Sequence, residues 1–217
     1  MQVSIIIPVY NSERFIQRSI RSAIDQNFDK NRYEIIVIDD ASADNTLKVI
    51  QPFKDSIRII KHEENRGLAA SRNAGIKVAK GRYVVNLDAD DYIHQDLLHI
   101  ESIFLNLNND YDAVCCDYYI VDEHEDHLER KNAIENPIAC GIMFRMEQLV
   151  DVGLYDEQFM AREEEDLRLR FIRRYQIHHI PLPLYRYRKH DNNLTKDKDM
   201  MEKYKEKIRK RHSPEKA

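Results

Sequence analysis

Glycine is scarce in this 217-residue chain, which contains only five. None lies between Pro8 and Glu13, where a dinucleotide-binding fold would carry the glycine-rich turn of its first crossover. No glycine is followed by Lys-Ser or Lys-Thr either, so the phosphate-binding loop of NTPases is missing. Both classes of nucleotide-binding enzyme are therefore disfavoured.

Cysteine is scarce as well. Cys115, Cys116 and Cys140 are an odd number, and the two adjacent ones would face opposite sides of a regular strand. A disulfide framework and a zinc site are therefore disfavoured, and we expect buried thiols in the core.

Long hydrophobic runs are absent too. The longest apolar stretches, such as Val3 to Val9, match the length of a strand and not that of a membrane span. The N-terminus has neither the basic region nor the cleavage site of a signal peptide. We therefore expect a cytoplasmic enzyme, and its 42% hydrophobic content suffices for the core of one compact domain.

Strand and helix patterns alternate through the first half of the chain. The segments Tyr10-Asn11, Asp39-Asp40 and Asp88 to Asp91 each follow a predicted strand directly. Strands separated by helices favour parallel pairing with right-handed crossovers, so we expect these segments at one edge of the sheet. The predicted strands are Val3 to Val9, Tyr33 to Ile38, Ile57 to Ile60 and Arg82 to Leu87, and the predicted helices begin at Ser12, Asp44 and Leu68.

The pattern is less regular after Asp91. We predict one domain over residues 1–195, followed by a basic helix or tail over residues 196–217. The predicted helices of the second half are Gln95 to Leu107, Met146 to Val150 and one that starts at Glu163. The predicted strands are Asp112 to Val121, Pro137 to Phe144 and Tyr185 to Lys189, with a loop or hairpin after the first of them.

Three carboxylates follow the fourth strand without a break. The apolar run that begins at Val84 leads directly into Asp88, Asp90 and Asp91. A buried strand cannot hide unpaired negative charges, so these acids must emerge at its C-terminal end, where open α/β sheets bind ligands. Carboxylate oxygens favour Mg²⁺ or Mn²⁺, which complete their shell with phosphate oxygens. The segment therefore predicts a divalent cation that holds a phosphorylated ligand.

Several motifs then occur together in one order. Their combination resembles the inverting family-2 glycosyltransferases of GT-A fold. The resemblance implies an α/β fold with a mixed, mostly parallel central sheet flanked by helices. It also implies a nucleotide-binding half over residues 1–91 and an acceptor-binding half over residues 92–195. The motifs are Ser4 to Asn11, Val37 to Ser42, Asn65 to Gly67 with Ser71 to Asn73, Leu87 to Asp91, Gly153 to Phe159, Glu163 to Asp166 and Tyr185 to His190.

The resemblance also implies contacts to the nucleotide of a donor, with a UDP-sugar favoured because a carboxylate acceptor suits the imide N–H of uracil. For one of the residues, Arg72, position alone leaves a surface arginine on its helix as the alternative. The implied contacts are Pro8 and Tyr10 around the base, Asp39 on its ring N–H, Asn65 and Arg72 beside base and ribose, and Asp88 at the ribose.

The metal site implied by the resemblance consists of Asp90 and His190. Asp90 would bind the Mn²⁺ or Mg²⁺ that bridges the donor diphosphate. His190 would ligate the metal or donate a hydrogen bond nearby, with Arg186 and Arg188 as an electropositive ledge for phosphate. The alternative for His190 is an exposed loop histidine. Asp91 is expected to cap the following helix, with indirect support of the metal site as the alternative.

The catalytic base is the point at which this chain departs from the family pattern. The family shows Glu-Asp, one residue, another acid and an apolar-rich run that ends in Arg, with the first Asp as base. Alignment on Asp166 and the residues after it places Glu164 on that aspartate, whereas the literal Glu-Asp pair selects Asp166. Glu164 is preferred because the other choice shifts the following Leu and Arg out of register. Glu163 and Glu165 are interpreted as caps of the helix.

These residues predict transfer of a sugar from a nucleotide-sugar donor to an acceptor hydroxyl by a metal-assisted single displacement. The resemblance implies that this displacement inverts the anomeric configuration. A polysaccharide, a lipid-linked oligosaccharide or a protein glycan would fit as acceptor. A nucleic acid would not, because the body of the chain is acidic. The glutamate at position 164 keeps one alternative open, a non-catalytic protein that binds sugar nucleotides or serves as a scaffold.

The C-terminal segment from Lys196 to Ala217 has nine lysines and arginines against five acidic residues. Met200, Met201, Tyr204 and Ile208 fall on one side of a predicted helix. Two interpretations follow. The helix contacts a membrane surface or a partner peripherally, or it packs its apolar residues onto the domain.

Overall fold

A computed structural model describes residues 1–191, 193 and 197–213 of the chain. Within these residues a mixed sheet of nine strands forms the centre of the molecule. The strands are β1 (Val3–Val9), β2 (Tyr33–Asp39), β3 (Arg58–Lys61), β4 (Tyr83–Asn86), β5 (Tyr92–Ile93), β6 (Ala113–Val121), β7 (His127–Lys131), β8 (Ile142–Arg145) and β9 (Ile177–Arg188). Across the sheet they lie in the order β3, β2, β1, β4, β8, β6, β9 and β5, and β7 pairs with β6 outside this path.

Helices flank the sheet, and a short 3₁₀ helix, Gln51–Phe53, follows the second α-helix of the chain. No helix of the described residues is long and apolar enough to cross a membrane. The α-helices of the described residues are α1 (Ile16–Ile24), α2 (Thr46–Ile50), α3 (Leu68–Val78), α4 (Leu97–Leu107), α5 (Met146–Asp151), α6 (Glu163–Ile172) and α7 (Lys198–His212).

The first four strands pair in parallel, as the sequence predicts. β1 lies between β2 and β4, so that Ile6 faces Ile36 on one side and Asn86 on the other. All seven residues of β1 are buried, which is typical of a strand covered on both faces. Helix α3 approaches this layer closely, since a Cβ on Gly75 would lie 2.5 Å from the Ile6 Cγ2 atom. Parallel pairing brings the carboxyl ends of β1, β2 and β4 to one edge.

The second half of the chain continues the same sheet. β8 runs antiparallel to β4 and to β6, and β9 runs parallel to β6. β9 is longer than the predicted strand at Tyr185 to Lys189, and it includes Pro181 and Pro183, which weaken a strand pattern. The two-residue strand β5 was not predicted. It pairs with the end of β9 through Ile93 and Tyr185, which brings β9 beside the segment after β4.

The cysteines are buried as predicted, and the terminal helix follows the second of its two interpretations. All three cysteines are free and buried. On α7, Tyr204 and Ile208 are buried against Phe159 and Ala161 of the body, so the apolar side of the helix packs onto the domain. The expected boundary between residues 195 and 196 lies outside the described residues.

Glu101 on α4 is an acid that the core buries without a partner. Its side chain is fully buried, and neither carboxylate oxygen has a hydrogen-bond partner among the described residues. The nearby Cys116 thiol donates instead to the Gly141 carbonyl at 3.5 Å. Burial raises the pKa of the Glu101 carboxyl well above its ordinary value. The nearby Cys116 side chain lowers the same pKa, but by less.

We expect Glu101→Gln to stabilise the protein in mildly alkaline buffer by about 1–3 kcal/mol, because the amide carries no charge to bury. The folded carboxyl binds its proton more tightly than the unfolded one. The stability of the parent chain therefore falls as the pH rises above the unfolded pKa of 4.5, and the advantage of the variant disappears below it. Urea unfolding in acidic and alkaline buffer measures this, with Glu206→Gln at an exposed position of α7 as control. An advantage independent of pH would contradict the prediction.

Candidate active site

A cavity of about 970 Å³ opens at the carboxyl ends of β1 and β4. This volume lies at the upper end of the range for small-molecule pockets, about 300–1,000 Å³. Asp39, Asn65 and Asp166 are not among its lining residues. Seven other residues predicted for the site do line it, namely Pro8, Tyr10, Arg72, Asp88, Asp90, Glu164 and His190.

Two loops at this edge are joined by hydrogen bonds and form one wall of the cavity. The Asn11 side-chain oxygen accepts the Ala43 N–H at 2.8 Å, and the Thr46 hydroxyl accepts the Ser12 N–H at 2.9 Å. Asn11 has a φ of 47°, a left-handed conformation that asparagine tolerates. These bonds hold the loop after β1 against the loop after β2, and Tyr10 is left half exposed at the mouth.

Asp39 and Asn65 lie at the same edge of the sheet, but their side chains make local contacts. Asp39 is buried and accepts the Ser42 N–H at 3.3 Å. The Asn65 side-chain oxygen accepts the Gly67 N–H at 3.2 Å. Neither side chain lines the cavity.

Asp40 organises the start of α3, a role that the sequence pattern did not indicate. Its carboxylate accepts the Arg66 N–H at 3.0 Å and the Gly67 N–H at 2.8 Å, and His62 Nδ1 lies 2.6 Å away. Gly67 has a φ of 85°, which glycine adopts without strain. Asp40 thereby fixes the turn that leads into the helix of Arg72.

Arg72 is completely buried at the floor of the cavity and joins two acids. Its guanidinium donates to the Asp88 carboxylate at 2.8 Å and to the Glu163 carboxylate at 2.5 Å. It also lies 5.3 Å from the centre of the Tyr155 ring. Burial alone would lower the pKa of Arg72, but Asp88, Tyr155 and Glu163 raise it well above its ordinary value. The alternative of an ordinary surface arginine is therefore wrong.

Asp90 and His190 meet on one side of the cavity. His190 Nε2 lies 2.7 Å from Asp90 Oδ2, and the Asn193 amide donates to the same oxygen at 3.3 Å. The His190 ring packs 4.7 Å from the ring of Phe15, and its side chain is 8% exposed. The alternative of an exposed loop histidine is therefore wrong, and the two residues predicted for a metal lie side by side.

Asp91 connects the acidic segment after β4 to strand β9 and does not cap a helix. Its carboxylate accepts the Tyr185 hydroxyl at 2.6 Å and the Arg188 N–H at 2.7 Å, both from β9. Burial, Asp90 and Asp88 raise the pKa of Asp91 well above its ordinary value. The N-cap of α4 is Asp96, so the expected capping role of Asp91 is wrong.

The expected electropositive ledge is wrong as well. Arg188 is buried and donates to the Asp90 carbonyl at 2.9 Å and to the Glu125 carboxylate at 3.1 Å. Arg186 packs over the Tyr119 ring, 5.6 Å from its centre. Neither arginine lines the cavity. Both cations already have partners within the protein, so they are not available to bind phosphate. The part of β9 is instead to position the acidic segment, through its backbone and through Arg188.

The four acids that open α6 have different surroundings. Burial, and then the neighbouring Glu163, raises the pKa of Glu164 to about 7. Glu165 pairs with Arg162 at 2.7 Å. Glu163 binds Arg72, so both residues that were expected to be helix caps pair instead with arginine side chains.

Asp166 is fully buried and bound by cations on two helices. Its carboxylate accepts from Arg170 Nε at 2.9 Å, and His212 Nε2 of α7 lies 2.9 Å from its other oxygen. Arg211 lies 3.3 Å from the same oxygen as His212. Asp166 therefore joins α6 to α7, and it does not line the cavity, whereas Glu164 does.

A comparison with known families identifies this arrangement. The family described as glycosyl transferase family 2 matches residues 4–168, which is well over half of the chain. The chain belongs to glycosyl transferase family 2. The matched range includes the segments that carry Arg72, Asp88, Asp90 and Glu164, and it ends inside α6.

Two similar proteins are longer than this chain. The poly(ribitol-phosphate) beta-glucosyltransferase of Bacillus spizizenii is 41% identical over 102 residues, which is 45% of this chain and 16% of that protein. The UDP-Glc:alpha-D-GlcNAc-diphosphoundecaprenol beta-1,3-glucosyltransferase WfaP of Escherichia coli is 41% identical over 119 residues, or 50% of this chain and 46% of that protein. The matched segment thus covers less than half of either relative.

Solved structures share the fold. S. aureus TarS 1–349 in complex with UDP-GlcNAc superposes with a TM-score of 0.80 at 22% identity, over 91% of this chain and 61% of that chain. Mannosyltransferase PcManGT from Pyrobaculum calidifontis in complex with GDP-Man and Mn²⁺ gives 0.70 at 20% identity, over 85% and 56%. These similarities confirm the expected α/β, GT-A fold, with a mixed, mostly parallel central sheet flanked by helices.

The donor set of this family 2 member fits a divalent cation that is held together with a phosphorylated ligand. Among the described residues no group of three or more histidine, cysteine or acidic side chains converges on one point. Asp90 and His190 supply two donors at the cavity wall. Mg²⁺ and Mn²⁺ are commonly bound by one or two carboxylates and complete their shell with phosphate and water oxygens, for which the cavity has space.

Proposed function

We propose that the chain transfers a sugar from a nucleotide-sugar donor, a UDP-sugar, to an acceptor hydroxyl by single displacement with inversion. The observation that carries the proposal is the chain of contacts from Asp88 through buried Arg72 to Glu163. It joins the strand-end acids to the helix that presents Glu164, and all four residues line one cavity. Membership of glycosyl transferase family 2 supports the same reaction.

The donor nucleotide is proposed to lie between the loop after β1 and the start of α3. Pro8 and Tyr10 line the cavity there, and Asp88 presents its carboxylate beside them for the ribose. Arg72 acts on the nucleotide through Asp88, whose carboxylate it orients. The geometry lends no support to direct contacts from Asp39 and Asn65. S. aureus TarS in complex with UDP-GlcNAc, which shares this fold, favours a UDP-sugar.

Glu164 is proposed as the general base that takes the proton of the acceptor hydroxyl. A base is most effective when its pKa lies near the working pH, and burial brings the pKa of Glu164 to about 7. Asp166 is the weaker candidate because Arg170 and His212 already bind its two oxygens. The proton would leave the hydroxyl as its oxygen attacks the sugar from the side opposite the diphosphate.

Asp90 and His190 are proposed to hold Mn²⁺ or Mg²⁺ against the diphosphate. When bound, the cation supplies Lewis-acid stabilisation of the charge on the departing nucleoside diphosphate. Arg188 and Tyr185 keep the acidic segment in place, since they bind Asp90 and Asp91 from β9. The contribution of the protein to this step is therefore to hold the Asp90 carboxylate in a fixed position for the cation.

The acceptor is proposed to bind within residues 92–195, and the nucleotide within residues 1–91. A polysaccharide, lipid-linked or protein glycan acceptor in glycoconjugate biosynthesis fits the names of the relatives, one of which acts on a GlcNAc-diphosphoundecaprenol. A peripheral contact between α7 and a membrane stays a prediction. It would use basic side chains, because Tyr204 and Ile208 are already buried by the domain.

The proposal is tested by incubating the protein with UDP-, GDP- and dTDP-sugars and Mn²⁺, with and without glycan acceptors. We expect release of UDP from a UDP-sugar that stops on addition of EDTA. Asp90→Asn should lower the rate by about 100-fold or more and weaken Mn²⁺ binding, followed by electron paramagnetic resonance, in the presence of UDP. Asp110→Asn, on an exposed turn, is the matched control. Binding of UDP-sugar without turnover on any acceptor would favour the non-catalytic scaffold.

A further inference from the structure

Helix α6 presents a second charged residue to the cavity, one turn after Glu164. Arg168 follows Glu164 by four residues. Residues at this spacing lie on the same face of a helix, with their Cβ atoms about 5–6 Å apart. Both residues line the 970 Å³ cavity. The guanidinium and the proposed base therefore lie on one wall.

Four arginines line the large cavity, and in the described part of the chain Arg168 is the one without an acidic partner. Arg14 pairs with Glu123 at 2.7 Å, and Arg162 pairs with Glu165 through its Nε atom at 2.7 Å and its Nη2 atom at 2.5 Å. Arg72 is bound to two acids, as described above. By contrast, no residue that the structure describes forms a salt bridge or hydrogen bond with the Arg168 side chain. A half-buried guanidinium with five free donors favours an oxyanion from outside the chain.

A smaller cavity of about 270 Å³ continues from Arg168 away from the donor end. Arg168 is its one charged lining residue among those described, and Tyr175 and Gln176 are its polar members apart from the thiols. None of the proposed nucleotide or metal residues lines it. Its apolar lining includes Pro137, Ile138, Ile142 and Ile172, which also line the large cavity.

Charge and position together indicate which substrate this arginine contacts. The donor diphosphate is assigned to the side of the large cavity that holds Asp90 and His190. Arg168 lies on α6, the helix of the proposed base, and lines the smaller cavity, which neither Asp90 nor His190 lines. Apolar walls strengthen the attraction between a guanidinium and an anion because little water screens it. An anion bound here would lie about one helical turn from the hydroxyl that Glu164 deprotonates.

We propose that Arg168 binds an oxyanion, a phosphate or a carboxylate, carried by the acceptor, and that an apolar part of the acceptor enters the smaller cavity. The inference rests on the proposed function for its assignment to the acceptor. Arg168 thus selects anionic acceptors, and the planar guanidinium binds the two oxygens of such a group in parallel.

The test uses the full chain with UDP and Mn²⁺ in excess, so that the donor end is filled. Phenyl phosphate, phenylacetate and neutral benzyl alcohol are titrated by calorimetry, which also distinguishes the two oxyanions. We expect one of the anions to bind and the alcohol not to. Arg168→Gln should weaken that binding about 10- to 100-fold, and Arg168→Lys should weaken it less. Arg173→Gln removes a charge from the exposed end of the same helix and is the matched control.

The inference is overturned if neither anion binds the parent chain, or if Arg168→Gln binds the anions as the parent chain does. It is also overturned if Arg168→Gln weakens UDP and not the probe, since Arg168 would then belong to the donor end. Thermal melting verifies that each variant is folded. Probe binding does not require turnover. Anion binding through Arg168 in a chain that turns over no donor would therefore refute the transferase proposal alone.

Discussion

Glu164→Gln is expected to reduce sugar transfer by about 10²- to 10⁴-fold, the usual contribution of a positioned general base. The amide keeps the shape of the side chain but cannot take the proton. UDP affinity should change little, because Glu164 is not assigned to the nucleotide. The measurements are kcat/KM for transfer and the Kd for UDP. A variant with parental activity would eliminate Glu164 as the base and return attention to Asp166.

The pH dependence of kcat/KM is a second test of Glu164 as the base. A base acts when it is deprotonated, so kcat/KM of the parent enzyme should rise with pH and level off above the pKa of about 7. Glu164→Asp keeps a carboxylate but withdraws it by a methylene, and we expect partial activity with the same dependence. Glu165→Gln, next to it and paired with Arg162, should retain most of the activity. A flat profile in the parent enzyme would contradict the assignment.

Arg72→Met is expected to destabilise the fold by about 3–5 kcal/mol, because removing one partner leaves a buried charge uncompensated. Glu163 has a 2% exposed side chain and would lose its cation, whereas Asp88 is 26% exposed and can be hydrated. Urea unfolding of the variant measures the loss. Activity should fall as well, since Arg72 holds Asp88 and the start of α6 in register across the cavity.

The double variant Arg72→Met with Glu163→Gln isolates this effect. It should be more stable than Arg72→Met alone, because no unpaired carboxylate stays buried, with a coupling free energy of about 0.5–3 kcal/mol. Arg66→Met is the matched control. Arg66 pairs with Glu157 at 3.4 Å on the surface, and exposed pairs contribute about 0–1 kcal/mol. Equal losses for Arg66→Met and Arg72→Met would show that burial of the Arg72 pair has no special cost.

The layer formed by β1 to β4 was predictable because local pattern and global packing agree there. β1 and β2 are nearly continuous runs of valine and isoleucine, which suit a parallel sheet buried on both faces. Parallel pairing then requires that their carboxyl ends meet. Asp88 and Asp90 therefore could be placed at the cavity from the order of the elements alone, and the structure shows them there.

The second half was harder to predict because its elements depend on distant partners. β5 has two residues and exists through its pairing with β9, more than 90 residues later. β9 runs through Pro181 and Pro183, which argue locally against a strand. Capping of α6 by Glu163 was a reasonable local interpretation, but its carboxylate binds an arginine 91 residues earlier in the chain.

The sequence by itself determined the parallel pairing of the strands in the first half, the edge of the sheet at which the acidic residues lie and the family to which the chain belongs. These features follow from short-range periodicity and from motifs that are contiguous in the chain. Tertiary structure alone decided which charges are neutralised. It buried Arg72 and Arg188 among acids and carbonyl groups, withdrew Asp166 into contacts with α7, and left Glu164 and Arg168 facing the cavity. The physical reason is that the charge state and availability of a side chain depend on burial and on partners far away in sequence, which no local pattern encodes.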